Sequence, residues 1–381
     1  MPRNIDIFSL KVDYVKPISD KSNFEAGIKT GKTFTDNEIH YENRYDGEWV
    51  EDHNQSNHFK YTEGVSAVYA TYSQMFGKFS AMAGLRAEYT SIKGESPTMD
   101  TTFTRSYLGW FPSTYLQYKI NDKQALNLSY TRKINRPGFG KLNPFRRYDD
   151  PYTFLSGNPD LNPEYYNTIA LRFNIGGGYS VNANYSIVNG VSEREFVQDD
   201  TNNVTNITFK NVGKRQVLYL SGFAPVQLSK WYTLRINAEA MYSMVDARFN
   251  GEPFKKNYLA IYVAPQHVFT ILPTLRANMQ MSWTKSGWYG IIKVDDVWDM
   301  NAQIEKTFLD KRLSVTLSCN DIFSSNNFSG KIKFDNIDQT VKEYSYGRRM
   351  MLNVRYSFGS QKIRAARNRS VGIEDEMGRT Q

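Results

Sequence analysis

Long stretches of this sequence place an apolar side chain at every second position. In LNLSYTRKI (126–134), Leu126, Leu128, Tyr130 and Ile134 share one face, and Asn127, Ser129, Thr131 and Lys133 the other. YSVNANYSI (179–187), LRINAEAMYSM (234–244), LRANMQMSW (275–283) and MMLNVRYSF (350–358) repeat the scheme. A period of two is the signature of a strand with two unlike faces, and no helical period competes with it. The runs exceed the ~5–6 residues usual in soluble sheets. They meet the ~9–11 tilted residues that cross a bilayer core.

The connections come in two sizes. Tight ones, such as 19–23, 76–78, 121–124, 176–178, 228–231, 272–274 and 309–312, alternate with long ones near 40–57, 94–104, 137–164, 198–205, 249–256, 286–296 and 323–345. Fifteen strands follow, near 4–16, 23–39, 58–75, 78–93, 105–120, 124–135, 165–176, 178–197, 207–225, 231–249, 257–272, 274–287, 297–309, 312–323 and 344–358. Those at 58–75, 207–225 and 257–272 alternate poorly and are placed mainly by turn spacing. Short turns at one end and long loops at the other describe an antiparallel up-and-down meander, the layout of a transmembrane β-barrel.

Composition narrows the alternatives. The 26 tyrosines and 23 phenylalanines favour sheet. The single cysteine, Cys319, excludes an intramolecular disulfide framework and a multi-cysteine zinc site. Net charge is +8, but the cations are scattered, without the compact basic block of a nucleic-acid binder. No apolar run reaches the ~18 residues of a spanning helix. The first residues, MPRNIDIFSLKVDY, lack a signal-peptide layout.

Alternation alone does not say which face meets what. A soluble sandwich buries its apolar faces, whereas a membrane barrel turns them to lipid. Two features favour the barrel. The polar faces carry mixed charge (Arg86 with Glu88, Arg172, Arg235 with Glu239, Arg276, Glu305), which suits a wet lumen. Aromatics gather near strand ends at Trp231, Tyr232, Trp283, Trp288, Tyr289, Trp298, Phe308, Phe323, Tyr356 and Phe358, as in an interfacial girdle. Fifteen is an odd count, whereas bacterial single-chain barrels use an even one. The expectation is the C-terminal part of a larger barrel over 1–358, followed by a polar, disordered periplasmic tail at 359–381.

The longest connection contains INRPGFGKLNPFRRYDDPYTFLSGNPDLNPE (134–164). Its prolines remove donors and stiffen a wet extracellular segment that is not expected to pair as strand. This segment resembles the signature of TonB-dependent outer-membrane receptors of the Bacteroides type. Matching positions are Arg136, Pro137, Leu142, Asn143, Pro144, Phe145, Tyr148, Asp150, Pro151, Gly157, Asn158, Pro159, Leu161, Pro163 and Glu164. FSLKVDYVKPIS, GLRAEYT, FPSTYLQYKIN and LSVTLSCNDIF extend the likeness from about residue 5 to 358. The resemblance implies a 22-stranded barrel, a plug domain inside it, and active uptake of a scarce ligand (iron chelate, cobalamin, glycan or peptide) driven by an inner-membrane energy-coupling complex. About fifteen of those strands are here. The plug, the energy-coupling box and about seven strands are then expected upstream.

Ligand-facing candidates are Phe145, Arg146, Arg147, Tyr148 and Tyr152 in the proline-rich segment, with Trp288 and Tyr289 in KSGWYG. Aromatic faces can stack on a sugar or chelate, and arginines can grip carboxylates or phosphates. Against a ligand role, Trp288 also suits an interface anchor. His53 and His58 lie five apart on a loop, which fixes no metal geometry. Asp149/Asp150, Asp199/Asp200 and Asp295/Asp296 read as solvated loop charges. No catalytic grouping, cofactor motif or metal site stands out. The expected partners are outer-membrane lipid and lipopolysaccharide, the plug and the energy-coupling complex. A passive porin-like or structural barrel, and a soluble all-β glycan-binding protein, are the alternatives.

Overall fold

The computed structural model describes residues 3–358 apart from 54 and 346, together with 377–378; all but two residues of the expected tail lie outside this set. Among the described residues fifteen long strands form one wall: β1 (Arg3–Ser19), β2 (Ser22–Ile39), β3 (Asn57–Phe76), β4 (Phe79–Ser96), β5 (Thr101–Asn121), β6 (Gln124–Asn135), β7 (Glu164–Ile175), β8 (Tyr179–Asp199), β9 (Val204–Gln227), β10 (Tyr232–Phe249), β11 (Glu252–Leu272), β12 (Leu275–Lys285), β13 (Val297–Phe308), β14 (Leu313–Asn320) and β15 (Arg349–Tyr356). Each pairs antiparallel with its sequence neighbours, from β1–β2 through to β14–β15. These are the fifteen strands that alternation and turn spacing together predict. The tight turns all fall at one end of the wall.

The apolar faces point outward and stay open. Leu108 on β5 is 58% exposed and Leu220 on β9 51% exposed, and Leu10, Ile28, Val68, Leu85, Leu171, Ile304 and Leu352 behave alike. A soluble fold would bury such a surface. In a bilayer it is the face that meets lipid. At the short-turn end, Trp231, Tyr232, His267 and Phe269 stack in series, with neighbouring ring centroids 4.9–6.3 Å apart, forming one arc of an aromatic girdle.

The weak alternation of β3 has a physical cause. Towards its tight turn, Val68, Ala70 and Tyr72 face out. Nearer the long-loop end, the outward residues become Lys60, Thr62 and Ser66, while Phe59, Tyr61, Val65 and Ala67 point in and are buried. β4 shows the same exchange, with Leu85 and Tyr89 outward, then Ser91 and Lys93, and Ile92 buried inside. The strands outrun the bilayer. Beyond it, water wets the outer face and the inner face acquires a core.

That core is supplied by the long connections. Phe139, Leu142 and Leu161 pack on Phe59, Tyr61 and Ile92 inside the mouth. Residues 288–289, 292–294, 328–334 and 337–343 build a separate four-stranded sheet. Its Ile291, Ile292, Ile332 and Ile337 pack on Val188, Val212, Phe249 and Phe254 of the wall. A hairpin also stands at 42–45 and 48–51.

The proline-rich segment therefore departs from the expectation of a wet, unpaired loop. Arg146–Asp150 and Thr153–Ser156 form a hairpin, and Thr153–Leu155 pairs in parallel with Thr205–Ile207 of β9. The site for this pairing opens at Gly213, where β9 parts from β10. Gly213 has φ +151°, and a Cβ there would lie 2.3 Å from the Asp246 carbonyl oxygen.

Among the described residues, β1 pairs only with β2, and β15 only with β14. The wall is an open sheet with two free edges. Both edge strands run from the long-loop end to the short-turn end. They are parallel to one another, and an antiparallel closure needs an odd number of strands between them.

Candidate functional site

The proline-rich segment enters the mouth at Arg136, the residue after β6. Its Nη2 donates to Glu88 Oε2 at 2.5 Å and to Thr90 Oγ1 at 2.9 Å. Arg86 Nε holds the other Glu88 oxygen at 2.5 Å. Pro137 stops the strand, and the single helical turn Phe139–Leu142 drops two apolar side chains into the core. Asn143 then accepts the Phe145 amide in a side-chain turn.

The return path is pinned just as closely. The Gly157 and Asn158 amides donate to the Asn143 and Lys141 carbonyls at 2.9 and 2.7 Å. A Cβ on Gly157 would sit 2.4 Å from the Asn143 oxygen, so only glycine allows this approach. The Asn158 side chain donates to the Phe209 carbonyl and accepts the Asp160 amide. Arg105 of β5 donates to the Leu161 carbonyl and to Asp160 Oδ1. Asn211 of β9 bonds both backbone groups of Asn162 as well as the Gly190 carbonyl. Glu164 takes the Ser192 amide, Asn135 Nδ2 and the Tyr166 hydroxyl. The motif residues Arg136, Asn143, Asn158, Leu161 and Glu164 thus tie the segment to the wall, while Pro144, Pro159 and Pro163 shape its turns.

What this scaffold presents is a pocket of about 200 Å³. One side is Phe145, Arg146, Arg147 and Tyr148; the other is Asn37, Ile39, Tyr41, Gln55 and Asn57. Among its described lining residues there are two guanidinium groups, amides and aromatic rings, but no carboxylate. Arg146 lies over the Phe154 ring at 4.8 Å, and Tyr148 packs on the same ring at 5.6 Å. Such a lining can stack on a flat apolar group and hydrogen-bond an oxyanion.

Four of the sequence candidates therefore meet at one site. Tyr152 lies outside it, largely exposed. Trp288 is elsewhere: its ring packs against Phe254 at 5.5 Å in the second core, with Lys256 Nζ 5.2 Å from it, and its carbonyl accepts the Tyr258 hydroxyl. It is neither at the interface nor in this pocket, while Tyr289 beside it is exposed. Asn37, Ile39, Tyr41, Gln55 and Asn57 carry no sequence signal of their own; pairing of β2 with β3 brings them to the rim.

The rim carries charge on its outer hairpin. His40 contacts Glu51 and Glu38, each at 3.2 Å, and the hydrogen bond it donates to Glu51 holds its pKa above the ordinary imidazole value. Asp200, bonded by Asn336 and Gln198, is held below the usual carboxylate range. Among the described residues no group of three or more His, Cys, Asp or Glu could hold a metal ion.

The fold and the sequence meet in one comparison. Residues 1–356 match the outer membrane protein beta-barrel family. The chain belongs to that family. This outer-membrane barrel superposes on the copper transporter OprC (TM-score 0.66, 11% identity, 93% of this chain and 57% of that one). It also superposes on the unliganded ferric citrate transporter FecA (0.65, 12%, 94% and 55%). The ferric yersiniabactin uptake receptor FyuA from Yersinia pestis is similar too (0.62, 11%, 94% and 55%). At these identities the likeness is one of fold, and the chain spans little more than half the length of each structure. No curated protein matches the sequence. Membership in the family places the chain in the outer membrane, which removes the soluble glycan-binding alternative.

Proposed function

We propose that this outer-membrane barrel is the C-terminal wall of a TonB-dependent receptor that takes up a scarce extracellular ligand. The pocket at Phe145–Tyr148 is its outer binding surface. The observation that carries the reading is the wall itself: fifteen strands with two parallel free edges, over a mouth narrowed by the proline-rich segment. In lipid, roughly ten unpaired backbone groups along each edge, at several kcal/mol each, amount to tens of kcal/mol. That exceeds a net stability of ~5–15 kcal/mol. An odd set of further strands in the same polypeptide closes the barrel. Likeness to transport receptors more than one and a half times this length supports that arrangement, with a plug domain inside the closed barrel.

Uptake in cells that depend on the full-length protein tests the proposal. Accumulation of ligand should collapse when the inner-membrane proton gradient is dissipated or the energy-coupling protein is deleted. Uptake that persists at full rate under both treatments identifies a passive porin-like barrel instead.

A further inference from the structure

At the short-turn end, far along the wall from the outer pocket, the luminal face forms a second concavity of about 370 Å³. Arg276 of β12 and Arg355 of β15 line it with Lys311 and Arg312 from the turn between β13 and β14. The face is assigned by register. Arg276 lies opposite Glu305, Arg355 opposite Ser314, and Thr307 opposite Ser314, all on the polar side of their strands. Glu305 is the sole carboxylate among the described lining residues, against four cations. Among the described residues none of the four makes an ion pair. The contrast with Glu88, clamped between two arginines at the mouth, is direct.

Four cations converging on one hollow repel each other, and the arrangement is relieved when an anion with several oxygens bridges them. Arginine forks suit carboxylate and phosphate oxygens through paired, charge-assisted hydrogen bonds. The Ser314 hydroxyl adds a neutral donor. We infer that this inner pocket binds a small polyanion, a polycarboxylate or a phosphorylated solute, at the periplasmic mouth of the lumen. The inference rests on the transport reading for its purpose. The outer pocket, basic and without a carboxylate, has the same preference, so an anionic cargo would meet a favourable field on entry and on exit.

The test uses the full-length protein in detergent at low ionic strength, with citrate and inorganic pyrophosphate as calorimetric probes. Both should bind, more weakly as salt rises, and maltotriose should give no heat. Arg276→Gln with Arg355→Gln should weaken probe binding about tenfold or more. Arg146→Gln with Arg147→Gln should leave that inner-site component unchanged. On the unmodified protein, either probe should shield Arg276 and Arg355 from phenylglyoxal, which needs no variant to fold. Equal binding by the 276/355 variant overturns the inference. So does absence of binding and shielding in the native protein, which would mean that closing strands or the plug already neutralise these arginines. Binding in detergent needs no proton gradient. Gradient-driven uptake without anion binding would therefore sink this site alone, and anion binding without such uptake would sink only the transport reading.

Discussion

Arg136 reaches from the end of β6 to Glu88 on β4, two strands away, with Nη2 2.5 Å from Oε2 and side chains only 7% and 11% exposed. The pair anchors the entry of the proline-rich segment. Replacing Arg136 by alanine leaves a buried carboxylate with Arg86 as its remaining partner. Breaking such a pair costs about 3 kcal/mol. Denaturant unfolding of the full-length protein in lipid, followed by heat-modifiable gel mobility, should show that loss. Adding Glu88→Gln should recover part of it, because the uncompensated charge is gone. A single variant as stable as the parent would contradict the anchoring role.

Gly157 and the Asn143 carbonyl approach too closely for any side chain between them. Gly157→Ala should therefore displace the hairpin at 146–156 and cost about 2 kcal/mol. Trypsin reports this directly. Cleavage after Arg146 or Arg147 should accelerate in intact outer-membrane vesicles, while sites in the wall remain protected.

Ala183 and Ala238 face outward, paired in register with Leu220 and Val263. Arginine at either position meets hydrocarbon and should lower folding stability by ~2–4 kcal/mol near the bilayer midplane. Asn237→Arg, one residue from Ala238 but on the wet face, should change stability by under about 1 kcal/mol. Equal tolerance of both faces would refute the orientation of the wall.

His40 on the outer rim titrates above its ordinary 6.5, chiefly through Glu51. A raised folded pKa means that the contact stabilises the protonated state. Its contribution is complete below the unfolded value and disappears as pH rises through the folded one. Histidine NMR should give a midpoint above 6.5, and Glu51→Gln should move it down. A midpoint indifferent to that substitution would show that the Glu51 contact is absent in solution.

The strands were legible because their signal is local. Leu126, Leu128 and Tyr130 share a face whatever the rest of the chain does, and the tight turns locate the strand ends. β3 read poorly because it crosses from lipid into water, where the demand on the outer face reverses at about Ser66. The motif segment was recognisable, yet its packing was not. Proline and glycine announce turns, but they do not say that Arg105 and Asn211, some fifty residues from their partners, will draw those turns inside. Trp288 shows the same limit. A tryptophan near a strand end suits an interface, a ligand or a core, and only the sheet formed by 328–334 and 337–343 chose the core.

What the sequence by itself determined is the wall: its class, its strands and which side chains share a face, since period two follows from backbone geometry alone. Tertiary structure decided the mouth and both basic hollows. Those depend on which residues the register places opposite one another across neighbouring strands, and that pairing exists only once the whole wall has formed.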